Sequence, residues 1–171
     1  LRLAKRGQAV AVAAAVFALL MFVSASLSPY PLSYFDVSFM ASGGATTAIA
    51  AAGQTLVILP GGFDLSAGAV VSLVNAVLAS SLDPMNPEAS VLLWTVIGIA
   101  IGMGVGAVNG FFVAVMRLQP IVVTLAVMFI VQGLTLLVMD MPGGFVSPTL
   151  GAFYLGDTIP GLLPAPITLL L

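Results

Sequence analysis

The sequence predicts an all-α protein, a polytopic bundle of transmembrane helices. Of the 171 residues, 61% are hydrophobic and only 6% are charged, and the mean hydropathy is +1.24. About a quarter of the residues of an ordinary soluble domain are charged, so a water-facing surface cannot be built from this composition. We therefore expect about five membrane spans and the start of a sixth, with the N-terminus in the cytoplasm.

The first span is predicted near residues 9–27, directly after a cluster of cations. A spanning helix needs about 20 mostly apolar residues, and this run contains only apolar and small residues. Arg2, Lys5 and Arg6 precede it, and the positive-inside rule keeps such cations in the cytoplasm. A cleaved secretory signal is the alternative, because Ser24-Ala25-Ser26 resembles a cleavage site. We favour an uncleaved anchor, since the downstream sequence is equally membrane-like.

The later spans follow from the alternation of apolar runs with polar turns. They are predicted near residues 41–60, 67–81, 91–116, 121–138 and 161–171, with a loop over 140–160. Arg117 then falls inside, and the acids that fall outside are Asp36, Asp83, Glu88, Asp140 and Asp157. The apolar parts of the second and third spans, 45–59 and 67–81, are short for a bilayer, as in helices that meet within the membrane. Because the chain lacks an initial methionine and stops in an apolar run, we expect it to be part of a longer protein.

Composition also restricts the chemistry. The chain has no cysteine and no histidine, which removes thiolate ligands and the commonest acid–base catalyst and metal ligand. We therefore expect no catalytic site, no metal site and no enzymatic activity. No basic cluster indicates nucleic acid, and the expected surroundings are the lipid bilayer.

A break interrupts the apolar sequence at Gly61-Gly62-Phe63-Asp64-Leu65-Ser66. Glycine adopts backbone shapes that other residues resist, and an acid near hydrocarbon is costly unless it is satisfied. One interpretation makes Asp64 the N-cap of a helix that begins near Leu65, accepting the N–H of Ser66 or Ala67. The other makes Gly61, Gly62, Asp64 and Ser66 a gate or hinge of a transport pathway. The two are compatible.

Glycines recur at every fourth position of the fourth span, at Gly98, Gly102, Gly106 and Gly110. Residues four apart share one helical face, so this stripe predicts a groove into which a neighbouring helix packs closely. A nucleotide-binding loop is not favoured, because the third glycine is missing and the stripe follows a membrane helix rather than a strand.

Polar side chains are rare in the fourth and fifth spans. Asn109, Thr124 and Gln132 are the candidates for a polar pathway, because two of them lie two turns apart on one face of the fifth span. The alternative is that each simply bonds a neighbouring helix.

Four ordered segments carry a resemblance to a known family: Gly61–Gly68, Asn109–Ala114, Gln119–Leu125 and Gln132–Leu134. Together they resemble the membrane-spanning permease subunit of bacterial ABC importers for ribose and related monosaccharides, from about the first span to the chain end. Phe63, Ala67, Gln119 and Gln132 depart from the family pattern, which leaves the identity of the sugar open.

The resemblance implies a multi-pass permease in the bacterial inner membrane that imports a ribose-like monosaccharide, driven by ATP and supplied by a binding protein. The implied partners are a cytoplasmic ATP-binding subunit, a second permease subunit and a periplasmic sugar-binding protein. It also implies no cofactor in this subunit, since ATP and Mg²⁺ belong to the separate ATPase. The helix that couples a permease to its ATPase would lie outside this chain.

Three alternatives stay open at this stage. An ABC permease for a nucleoside or a branched-chain amino acid would have a similar apolar sequence. An ion-coupled secondary carrier would also be rich in glycine, but we would expect more intramembrane ionisable groups than Asp64 alone. A non-functional truncated remnant is the third.

Overall fold

The computed structural model describes residues 2–30, 33–83, 85–86, 88–159 and 163–164. They belong to two compact units, Leu1–Met40 and Ala41–Leu171. The first unit contains helix α1, Arg2–Leu27, and the beginning of helix α2, Tyr34–Ile58, which continues into the second unit.

The start of α2 is a capping box. Ser33 donates to Asp36 Oδ2 from its backbone nitrogen at 2.8 Å and from its hydroxyl at 2.7 Å. The backbone nitrogen of Asp36 donates in return to Ser33 Oγ at 3.2 Å. This reciprocal pair satisfies N–H groups that a helix start leaves without intrahelical partners.

The second unit continues with helices α3, Ala67–Ser81, and α4, Glu88–Gly110. A π-helical turn, Phe111–Val115, extends α4 and is followed by α5, Pro120–Val138, and α6, Pro148–Leu155. Pro120 occupies the first turn of α5, where its missing N–H costs nothing. A short antiparallel ribbon pairs β1, Asp157–Ile159, with β2, Leu163–Pro164.

Helix α3 packs against both α4 and α5, and the apolar core lies along it. Ala69 and Leu73 of α3 and Val131 of α5 are buried. The partly buried hydrophobic residues packed around them are Val70, Val77, Ile101, Val105, Val127 and Met128. Large hydrophobic side chains elsewhere face outward, such as Leu92 at 75% and Leu137 at 83% exposure. A helix that is apolar on every side is typical of a membrane span.

The length and composition of each helix indicate whether it could cross a membrane. Two helices in the described part of the chain, Ser90–Val115 and Pro120–Val138, are long and apolar enough to cross a membrane. Ala11–Leu27 and Ala67–Ser81 are shorter apolar helices. The structure therefore agrees with a bundle of apolar helices, while the number of spans and the cytoplasmic N-terminus stay predictions.

Three local expectations differ from the structure. Helix α2 has 25 residues rather than a short span of about 15, because its capping box starts the helix ahead of the most apolar part. The predicted loop over 140–160 contains α6, whose N-cap Ser147 accepts hydrogen bonds from two backbone N–H groups. In the predicted sixth span, 161–171, the described residues Leu163–Pro164 are extended, and the rest lies outside the described residues.

Candidate functional site

The helix break begins with a turn that requires its two glycines. Gly62 N donates to Val57 O at 3.1 Å and Gly61 N donates to Ile58 O at 2.9 Å, which is the Schellman pattern of a helix end. Gly61 has a φ of +88°, and a Cβ on Gly62 would lie 2.9 Å from Val57 O. A residue with a side chain would be strained at Gly61 and would collide with α2 at Gly62.

The carboxylate of Asp64 closes the next turn. Its Oδ1 accepts hydrogen bonds from Ser66 N at 2.7 Å and from Ser66 Oγ at 2.6 Å. The expected bond to the N–H of Ser66 is present, but α3 begins at Ala67 and Ser66 is its N-cap residue. Asp64 therefore lies two residues ahead of the N-cap, where it forms an Asx turn, and this corrects the predicted cap position.

Three helices donate hydrogen bonds to this loop. Gln54 Nε2 of α2 donates to Asp64 O at 2.9 Å, and Asn109 Nδ2 of α4 donates to Ser66 Oγ at 2.8 Å. Thr124 Oγ1 of α5 lies 3.3 Å from Phe63 O and 2.9 Å from Pro120 O, so one hydroxyl proton is shared between two carbonyls. We call the loop 61–66 together with these three side chains the polar junction.

The hydrogen bonds determine the orientation of the Asn109 amide. Ser66 Oγ gives its one proton to Asp64, so it can only accept from Asn109, and the amide nitrogen must face it. The amide oxygen, Asn109 Oδ1, is buried and finds no hydrogen-bond partner among the described residues. The junction is well shielded, since Ser66 is 1% exposed, Thr124 3% and Asn109 8%.

A cavity of about 390 Å³ adjoins the polar junction. Its polar lining comes from Asp64, Asn109 and Thr124, and its apolar lining includes Phe63 and Val113. No lysine or arginine is among its described lining residues. Ligand pockets are typically about 300–1,000 Å³, mostly apolar, with a few placed polar groups. The size and lining of this cavity fit that description.

The glycine stripe is packed at one end only. A Cβ on Gly98 would lie 2.9 Å from Val74 Cγ1 and 3.2 Å from Leu78 Cδ1 of α3. A Cβ on Gly102, Gly106 or Gly110 would have no described atom of another helix within 4 Å. Within the described residues, close packing on the stripe is therefore seen at Gly98, and packing along the rest of the stripe stays a prediction.

The reason is the face of α4 that α3 covers. Ile101 and Val105 pack on the apolar core and Asn109 bonds the start of α3, so the contact follows positions 98, 101, 105 and 109 on one helical face. Gly106 and Gly110 lie beside that face and line the cavity.

Of the three candidate pathway side chains, Asn109 and Thr124 meet at the junction and the cavity, and Gln132 does not. Gln132 is exposed on α5 and lies outside the cavity lining. Sequence reasoning missed Gln54, which ties α2 to Asp64. A signal existed, because Gln54 is a lone amide in an apolar run ten positions before the acid.

An apolar helical bundle with a buried polar junction and an adjoining cavity is typical of membrane transport proteins. Comparison with known protein families identifies the kind of transport protein. Residues 37–154 match the family model described as branched-chain amino acid transport system / permease component. The chain belongs to this family of ABC transporter permease components. The family consists of transport components, so the expectation that the chain is not an enzyme is confirmed.

Curated relatives agree with the resemblance seen in the sequence. The chain is 32% identical to the probable ABC transporter permease protein y4mJ of Sinorhizobium fredii, over 89% of this chain and 44% of the relative. It is 34% identical to the ribose import permease protein RbsC of Escherichia coli K12, over 68% of this chain and 36% of RbsC. It is 36% identical to the galactofuranose transporter permease protein YtfT of the same strain, over 72% of this chain and 35% of YtfT.

The chain thus spans less than half of the length of these relatives. No solved structure matches it significantly.

Proposed function

We propose that this chain is part of the permease subunit of an ATP-driven, binding-protein-dependent importer of a monosaccharide in the bacterial inner membrane. The observation that carries the proposal is the match to sugar permeases: relatives named for ribose, galactofuranose and allose are 34%, 36% and 30% identical over at least 68% of the chain. A neutral polar cargo also suits a cavity whose described lining contains amide, hydroxyl and carboxylate groups but no cationic side chain.

In the proposed assembly, different proteins carry out the different steps of import. A cytoplasmic subunit binds ATP and Mg²⁺, a periplasmic protein delivers the sugar, and a second permease subunit completes the pathway across the bilayer. This chain performs no covalent chemistry. Its helices form part of a pathway that opens to one side of the membrane and then to the other.

The polar junction is the proposed gate or hinge within this chain. Its loop, Gly61–Ser66, receives hydrogen bonds from α2, α4 and α5. Ser66 is the N-cap residue of α3, so a movement of α3 away from α4 breaks the Asn109 bond. A movement of the loop away from α2 or α5 breaks the bond from Gln54 or Thr124, so the junction couples the loop to all three helices. In the proposed pathway, Asn109 and Thr124 line the cavity and Gln132 lines a further part beside α5. Gly102, which does not line the cavity, is the proposed approach for a helix outside the described residues, whereas Gly106 and Gly110 border the cavity.

Transport by the intact importer tests the proposal. Membrane vesicles containing the full-length permease, with and without its ATPase, are loaded with binding protein and offered labelled D-ribose, D-allose, D-fructose or L-leucine. We expect ATP-dependent, vanadate-sensitive accumulation of one of the sugars.

Leucine is included because the description of the matched family names branched-chain amino acid transport. Accumulation of leucine alone would replace the sugar assignment with that second candidate. Sugar uptake that continues without the ATPase and collapses with an ionophore would identify an ion-coupled carrier instead.

A further inference from the structure

We propose that the cavity beside the polar junction is a subsite for the cargo, and that the Asn109 amide turns from Ser66 into it to accept a hydrogen bond from a sugar hydroxyl. The inference rests on the proposed function, since it takes the cargo to be a monosaccharide. It assigns a contact residue, a direction of movement and a hydrogen-bonding role to this cavity.

The first support is the half-satisfied amide. Asn109 donates to Ser66 Oγ, but its Oδ1 is buried without a described partner. A buried acceptor without a partner is destabilising, and nearly all buried polar atoms in native proteins are paired. The amide oxygen therefore needs a donor. That donor is either a group outside the described residues or one that the oxygen reaches when the amide takes another orientation.

The second support is the space that lies beside this side chain. Gly106 and Gly110 flank Asn109 on its own helix, and no described atom of another helix lies within 4 Å of a Cβ on either glycine. Both glycines and Asn109 line the cavity. In the present position Oδ1 is shielded, so a donor reaches it only after the amide rotates into this space. The glycines make that rotation sterically feasible.

The third support is the chemical character of the lining. Phe63, Val57, Pro60 and Val113 offer apolar surface, while Asn109 and Thr124 offer oxygen atoms to a donor. A sugar ring has apolar C–H faces and hydroxyl groups at its edge, so it matches a mostly apolar pocket with a few polar groups. Among the described lining residues a cation would find one carboxylate, Asp64, whose Oδ1 already accepts two hydrogen bonds.

Cysteine protection in the intact importer tests this inference. The chain has no cysteine, so any cysteine elsewhere in the subunit is first replaced by serine. A single Val113→Cys then reports on the cavity, and Val122→Cys reports on a 60% exposed position of α5 that does not line it. A small methanethiosulfonate reagent labels each variant at increasing concentrations of the sugar that the vesicle assay shows to be transported.

We expect the sugar to slow the labelling of Val113→Cys and to leave that of Val122→Cys unchanged. With Asn109→Leu added, half-protection should require about tenfold more sugar, the effect of losing one hydrogen bond. Asn75→Leu is the matched control, since it removes an exposed amide of α3 that does not line this cavity. It should leave the protection unchanged.

A second variant covers the case in which Asn109→Leu fails to assemble. Gly106→Val narrows the cavity from α4, and the Cβ that it adds meets no described neighbour from another helix, so it should assemble and yet abolish protection. Three results would each overturn the subsite. The first is equal protection of Val113→Cys and Val122→Cys, and the second is protection that survives both Asn109→Leu and Gly106→Val. The third is protection by sodium chloride without sugar. If no sugar of the panel is transported, the proposed function itself fails. If a sugar is transported without protecting Val113→Cys, only this inference fails.

Discussion

The chain contains two aspartate–serine pairs with nearly the same hydrogen bonds in different surroundings. At the start of α2, Asp36 accepts from the backbone nitrogen and the hydroxyl of Ser33. At the helix break, Asp64 accepts from the backbone nitrogen and the hydroxyl of Ser66. The Ser33 pair is exposed, whereas Ser66 is 1% exposed and also accepts from Asn109.

The difference shows how one local motif becomes either a helix cap or a tertiary contact. Water can replace the partners of the exposed pair, so its contribution is limited to starting α2. Ser66 is shielded from solvent by the described residues, so a lost partner there leaves a buried polar group unsatisfied. In lipid, helices gain little from the hydrophobic effect, and interhelical hydrogen bonds become part of what holds them together.

The largest expected effect is on the buried pair. Ser66→Ala removes the hydroxyl donor to Asp64 and the acceptor of Asn109 together. We expect it to lower the free energy of unfolding by about 1–2 kcal/mol, measured by thermal unfolding of the full permease in detergent.

Ser72→Ala is the matched control for that variant. Ser72 is an exposed serine of α3 whose hydroxyl donates to Gly68 O within the helix. Its loss should change stability by less than about 0.5 kcal/mol. Equal losses for Ser66→Ala and Ser72→Ala would mean that burial does not distinguish the two aspartate–serine pairs.

A smaller effect is expected at the exposed pair. Ser33→Ala removes the capping side chain of α2 and should cost about 0.5–1 kcal/mol, since helix caps outside the core contribute at the low end of their range. Ser33→Thr keeps a hydroxyl and should restore most of the loss in the same unfolding measurement. A threonine variant as unstable as the alanine variant would show that the hydroxyl does not carry the cap.

The smallest effect concerns pH at the same cap. The Ser33 hydroxyl, and then its backbone N–H, hold the pKa of Asp36 below its ordinary value of 3.8. A lowered carboxyl pKa adds stability that is present above the unfolded-state pKa and is lost as the pH falls through the folded-state pKa. Carboxyl-carbon NMR should therefore show the pKa of Asp36 rising toward its ordinary value in Ser33→Ala. An unchanged titration would exclude the Ser33 hydroxyl as the main cause.

Local sequence signals predicted the helices that depend on local chemistry. Helix α3 occupies the residues expected for the third span. The two glycines of the break also followed from the sequence, because only a backbone without a side chain fits that turn. Helix α6 was missed although Ser147 and Pro148 form a helix-start signal, because the glycines and prolines around it favoured a loop.

Composition and short-range pattern by themselves determined that this chain is an apolar helical protein and where its helix break lies. These depend on neighbouring residues, whose chemistry is visible along the chain. Only the tertiary structure decided that Gln54, Asn109 and Thr124 donate to one loop, from 10, 43 and 61 positions away from their acceptors. It also decided that Gly98 packs on α3 while Gly106 lines a cavity. Helical periodicity defines the faces of a helix, but the neighbour that covers each face depends on how all the helices pack together.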